Sequence, residues 1–215
     1  MKTTIGIFSK SLIMVLALII FTGSRKPAKA GDIRTVRKTI LADIRDLSRI
    51  EVSGNVELLL SQGGKEQVEL YDQAEPRGRK IRFNDGTLQI RSAEKLTVMV
   101  TVSNLQSLEA SGQAVIRSLN RISSIDLEVR LRDQARGMLE AEALNLTASL
   151  EGTSRMDLSG QAENQVITLS EGSRLQAAAF SARNRSFTIS DAALASFGNT
   201  EIRTPLVSGR FARTL

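Results

Sequence analysis

The chain has 215 residues, with 29 Lys and Arg against 23 Asp and Glu, no His and no Cys. Those absences exclude Ser–His–Asp and Cys–His catalysis, histidine metal sites and thiol chemistry. No Gly-rich phosphate loop of the Walker or dinucleotide type occurs either, which leaves carboxylate, Lys, Arg and Ser chemistry and the single Tyr71.

Residues 1–30 read as an export signal. Lys2 and Lys10 precede the apolar run Leu12–Phe21, and Ala28-Lys29-Ala30 supplies small residues for cleavage. A run of about ten residues is short for a membrane span. Arg25, Lys26 and Lys29 behind it leave an uncleaved interfacial anchor as the alternative. No Cys follows, so a lipid-modified cysteine anchor is excluded. This segment also carries the basic excess: without its five basic residues the chain holds 24 basic against 23 acidic side chains, a net charge of +1. The charge therefore gives no reason to expect nucleic acid. Residues 31–44 are polar and basic and read as a loose arm or cap.

Short β segments follow. Ile50, Val52, Val56, Leu58 and Leu60 surround Ser53-Gly54, and Val68 and Leu70 come after the turn Gln62-Gly63-Gly64. Asp85-Gly86 predicts a hairpin between Ile81–Phe83 and Leu88–Ile90. Leu96, Val98, Val100 and Val102 then alternate with polar or less apolar residues. Beside Pro76 lies a basic cluster, Arg77, Arg79, Lys80 and Arg82. It is a candidate grip for an acidic polysaccharide or a lipid phosphate; the plainer reading is a solvated loop and outer strand face.

The run Leu47–Leu58, then Asp85–Ile90, then Val98–Val102 with Leu105, Leu108 and Ala110-Ser111-Gly112, resembles the head GIN domain family of putative auto-transporter adhesins. The resemblance extends over residues 45–203. It implies a right-handed β-helix-like fold in a secreted or surface protein, and it brings no catalytic residues with it.

The second half repeats. Asp126, Asn145, Asn164 and Asn184 are 19, 19 and 20 residues apart, and the last three close the triplets Ala143-Leu144-Asn145, Ala162-Glu163-Asn164 and Ala182-Arg183-Asn184. Three and five places after each Asx sit Val129 and Leu131, Ala148 and Leu150, Ile167 and Leu169, Phe187 and Ile189. That is a strand with one buried face. Seven places after come the turn residues Asp133, Gly152, Glu171 and Asp191, and thirteen places after a second apolar set, Leu139, Leu158, Ala177 and Phe197. Each unit thus reads strand, turn, strand, turn.

A unit this short cannot bury its own core and must stack on its neighbours. The expected fold is all-β: a right-handed parallel β-helix-like solenoid of ~20-residue coils over residues 45–203, with residues 204–215 as a tail or cap. In such a stack the four Asx residues form a ladder. Asn suits the left-handed backbone of a sharp bend, and its amide bonds the amide of the next coil. Ordinary turn residues in an antiparallel sheet are the alternative.

The expected function is a noncatalytic extracytoplasmic module, an adhesin or an envelope binding or structural element. Its partner is an unknown protein or glycan or a second copy of the chain, with no cofactor and no membrane span after the signal. The enzymatic alternative is a polysaccharide-active β-helix using the turn carboxylates Asp133, Glu151, Glu171 and Asp191. Hard-oxygen calcium ligation by Asp133, Asp157 or Asp191 is conceivable but matches no calcium repeat, so no metal is expected.

Overall fold

The computed structural model describes residues 37–41, 44–72, 78–190, 192–203 and 207–212. The expected signal at 1–30, Arg77 and Asp191 lie outside them. Among the described residues every regular element is a strand, so the described fold is all-β.

The arm carries β1 (Arg37–Leu41), antiparallel to β3 (Gln67–Asp72). Long β2 (Arg49–Gln62) pairs in parallel with β5 (Thr87–Val102) on one side. On its other side it pairs in parallel with β6 (Ser107–Gly112) and β7 (Val115–Ser118). The Asp85-Gly86 hairpin joins β4 (Lys80–Asn84) to β5, and both turn residues have positive φ. The expectation of short segments fails for β2 and β5, which run for 14 and 16 residues.

A run of five parallel strands follows: β8 (Ile122–Leu131), β9 (Arg136–Leu150), β10 (Arg155–Leu169), β11 (Arg174–Ile189) and β12 (Leu194–Phe197). Two antiparallel strands finish the described chain: β13 (Thr200–Arg203) on β12 and β14 (Val207–Ala212) on β11. The segment read as a tail or cap therefore contains a strand paired to the stack.

Side-chain alternation explains how a fifteen-residue strand wraps a core. In β9 the buried side chains are Leu139, Ala141 and Ala143, then Leu146, Ala148 and Leu150. The parity changes at Leu144-Asn145. Strict alternation through that point would turn the second set outward; a bend keeps both sets inside. The eight apolar residues three and five places after the Asx positions are all buried, as are Leu139, Leu158, Ala177 and Phe197. Burying each Leu or Ile contributes about 1.5–3 kcal/mol.

The unit has one turn, not two. It falls at Arg132–Ala135, Glu151–Ser154 and Ser170–Ser173, each closed by a backbone hydrogen bond from the fourth residue to the first. Asp133, Gly152 and Glu171 take positive φ there. Inside the turn, Ser154 and Ser173 are buried and donate to the carbonyls of Leu131 and Leu150 one unit earlier. Asn145 and Asn164 sit instead within continuous strands, and none of the three asparagines has positive φ. The left-handed role expected of them belongs to the turn residues.

Candidate binding grooves

The Asx residues meet as side chains. Asn145 Nδ2 donates to Asp126 Oδ1 at 2.7 Å, Asn164 to Asn145 at 2.9 Å and Asn184 to Asn164 at 2.9 Å. In-register pairing of Asp126 with Asn145, Asn145 with Asn164 and Asn164 with Asn184 brings them together. An amide donates upward and accepts downward at once, which a hydroxyl or carboxylate at this spacing does less well. Asn164→Ala removes two of these bonds and is expected to cost about 2 kcal/mol. At roughly 2–4 °C per kcal/mol, the midpoint in a circular dichroism melt should drop by several degrees. The exposed Thr168→Ala serves as control; equal melts would show that the bonds contribute nothing.

The turn carboxylates do not converge. Asp133 Oδ2 accepts from the backbone N–H of Gly112 at 2.8 Å, and Glu151 faces Arg132 at 3.5 Å. Glu171 is exposed on its own turn, and Asp157 is exposed on the outer face of β10. Among the described residues no group of three or more acidic side chains is placed to hold a metal ion.

Two residues of the basic cluster, Lys80 and Arg82, line one side of a groove of about 370 Å³ on the first half. Lys80 and Arg82 project from β4, and the hairpin register sets Lys80 opposite Arg91 and Arg82 opposite Gln89. Arg91 Nε donates to Ser53 Oγ at 3.0 Å. The two acids in the groove are already engaged: Glu51 accepts from Gln89 at 2.8 Å, and Glu109 accepts from Arg130 at 2.8 Å. The groove thus gathers three cations and two occupied carboxylates. Arg79 lies just before β4, and Arg77 is outside the described residues. Arg91 and Ser53 were absent from the expected set, although a two-residue turn at Asp85-Gly86 fixes the Lys80–Arg91 pairing from sequence alone.

A wider, shallow groove of about 1050 Å³ follows the bend of the stack. Its walls include Asn104, Gln106, Asp126 and Gln161, with Ile125 (69% exposed) and Leu144 (51% exposed) as its large apolar side chains. Gln62 closes one end: its amide donates to the carbonyls of Ser103 and Ser123 and accepts from the Ser123 N–H. Gln161 and Arg121 together hold the Glu142 carboxyl below its ordinary range. At the far end of the interior, Gln165 is buried, and its oxygen accepts from Arg185 Nε. The Arg185 guanidinium lies 4.3 Å from the centre of the Phe197 ring. Burial lowers the Arg185 pKa.

A family model described as "Putative auto-transporter adhesin, head GIN domain" matches residues 46–204. The chain belongs to this family. Among solved structures, a putative adhesin from Bacteroides fragilis is similar at a TM-score of 0.64 and 13% identity, covering 75% of this chain and 78% of that one. A putative adhesin from Parabacteroides distasonis reaches 0.60 at 13% identity, covering 76% and 82%. A protein from the same species, named a putative lipid binding protein, reaches 0.62 at 12% identity, covering 75% and 81%. At these identities the likeness is one of fold. No curated protein matches the chain. The GIN domain therefore spans β2 to β13, and β1 and β14 are strands added outside the matched residues.

Proposed function

We propose that this GIN domain is a noncatalytic extracytoplasmic binding or structural module of the cell envelope, built as a right-handed parallel β-helix. Support for the winding comes from the in-register parallel pairing of β8 to β12 with a parity break in mid-strand. The observation that carries the functional reading is the membership of an adhesin family by a stack whose outer faces hold shallow grooves of mixed polar and apolar lining. Such a surface contacts a partner over many weak interactions, whereas a catalytic site gathers its groups in one cleft. The segment 1–30 then acts as the export signal. No helix among the described residues is long and apolar enough to cross a membrane.

Two measurements test the reading. Fractionation of cells producing the full chain should recover it outside the cytoplasm; cytoplasmic recovery would overturn it. The purified protein should bind members of a panel of neutral and acidic envelope glycans without degrading them. Turnover of an acidic polysaccharide that is lost in Asp133→Ala would replace the reading with the enzymatic one. If the groove on the first half is the contact, Lys80→Gln with Arg82→Gln should weaken binding of an acidic glycan roughly tenfold, a loss of about 1.4 kcal/mol.

A further inference from the structure

The first outward position after each turn carries an arginine in three successive strands. Arg136, Arg155 and Arg174 open β9, β10 and β11, and the pairing register sets Arg155 directly between the other two. All three are exposed. Adjacent strands lie about 4.8 Å apart, so three cations occupy a line of about 10 Å. Like charges directly opposite one another on a sheet are destabilising. Several other outward arginines of the stack are answered by acids: Arg121 faces Glu140 and Glu142, Arg130 faces Glu109 and Glu128, and Arg183 faces Glu163. Among the described residues, no carboxylate forms an ion pair with any of the three stacked arginines. Their backbone positions need a strand residue, not a cation, because each side chain points to solvent.

From this unbalanced line we infer a binding site for a linear anionic polysaccharide running parallel to the stacking axis, separate from the groove at Lys80 and Arg82. Each pair of neighbouring guanidinium groups brackets one carboxylate or sulfate, so the ligand relieves the repulsion as it binds. A groove of about 440 Å³ runs beside the line on the same strands, with Ser159 and Gln176 available to bond sugar hydroxyls. Glu140 and Asp157 also line that groove. They repel a broad anionic surface, whereas a single chain on the arginine line passes Asp157 only at its edge, beside Gln176. This favours a polysaccharide over an anionic bilayer.

The test uses the full chain and two triple variants: Arg136→Gln, Arg155→Gln, Arg174→Gln on the line, and Lys80→Gln, Arg82→Gln, Arg91→Gln in the other groove. The probes are polygalacturonate, dextran sulfate, neutral dextran and vesicles containing an anionic phospholipid. Binding of polygalacturonate or dextran sulfate should fall at least tenfold in the line variant and weaken with added salt. It should change by less than threefold in the groove variant. The line variant should melt at or above the parent temperature, because repulsion has been removed. Undiminished binding in the line variant, an equal loss in both variants, equal binding of neutral dextran, or binding of vesicles alone would each overturn the proposal. A loss confined to the groove variant would overturn it while leaving the wider binding function standing.

Discussion

Ile167→Asp should abolish the folded state. Ile167 is fully buried on β10, between Ala148 on β9 and Phe187 on β11 in the pairing register. The substitution forfeits about 1.5–3 kcal/mol of apolar burial. It also places a carboxylate among the apolar side chains of the interior, which costs several kcal/mol more whether the group stays charged or takes up a proton. The total stability of a domain is about 5–15 kcal/mol, so the sum removes most or all of it. A circular dichroism melt of the variant should show no cooperative transition, while Thr168→Asp, one residue on and exposed, should melt within a degree or two of the parent. A parent-like melt for Ile167→Asp would mean that the inward face of the strand has been assigned wrongly.

That assignment is legible in the sequence because spacing carries it. A residue three or five places after each Asx faces inward in all four units, and a strand buries alternate residues whatever its neighbours do. Parallel stacking follows from the same count, since a repeat of constant length brings equivalent residues into register. The nature of the corner is not legible this way. Asn marks a change of direction both as a left-handed turn residue and as an amide stacked on amides, and spacing alone does not separate the two. The structure resolves them: the turns fall at Asp133, Gly152 and Glu171, and the asparagines bond sideways within unbroken strands.

The groove on the first half depends on a different kind of information. Lys80 and Arg82 are visible as a charge cluster, but Glu51, Ser53 and Glu109 reach the same place only through pairings between β2, β5 and β6, many residues apart. The arginine line, by contrast, obeys the repeat spacing and is readable as Arg136, Arg155 and Arg174 at intervals of 19 residues. Outward positions of a strand are usually polar, so a cation there attracts no notice until the register shows three stacked without an acid between them. The interior sequence Leu127, Leu146, Gln165, Arg185 follows the same logic in reverse. Its first two members continue an apolar column, and its last two turn polar where Phe180 and Phe197 supply a carbonyl and a ring face to the guanidinium.

The backbone of β10 beside its register slip makes the second large demand. Gly160 has φ 111°, a region that side-chain-bearing residues rarely adopt. It pairs with Ala141 on β9 and Phe180 on β11, and the β10–β11 register slips nearby, between Asp157 and Ser159. A Cβ at this position would lie 2.0 Å from the carbonyl oxygen of Ala141 and 2.9 Å from its carbonyl carbon. Both obstacles are backbone atoms of a paired strand, so they yield only if the ladder opens. Gly160→Ala therefore combines strain of about 1–3 kcal/mol with a clash that breaks strand pairing. The expected loss is at least about 3 kcal/mol, or roughly 10 °C in melting temperature for a domain of this size. Gly137→Ala is the matched comparison. Its φ is ordinary, and its nearest obstacle is the side-chain Cδ1 of Leu131 at 3.2 Å, which need give only slightly. Gly137→Ala should cost less than half as much. If the two variants melt together, the backbone at Gly160 is not held by the close approach of β9, and the tight stacking of these strands would have to be redrawn.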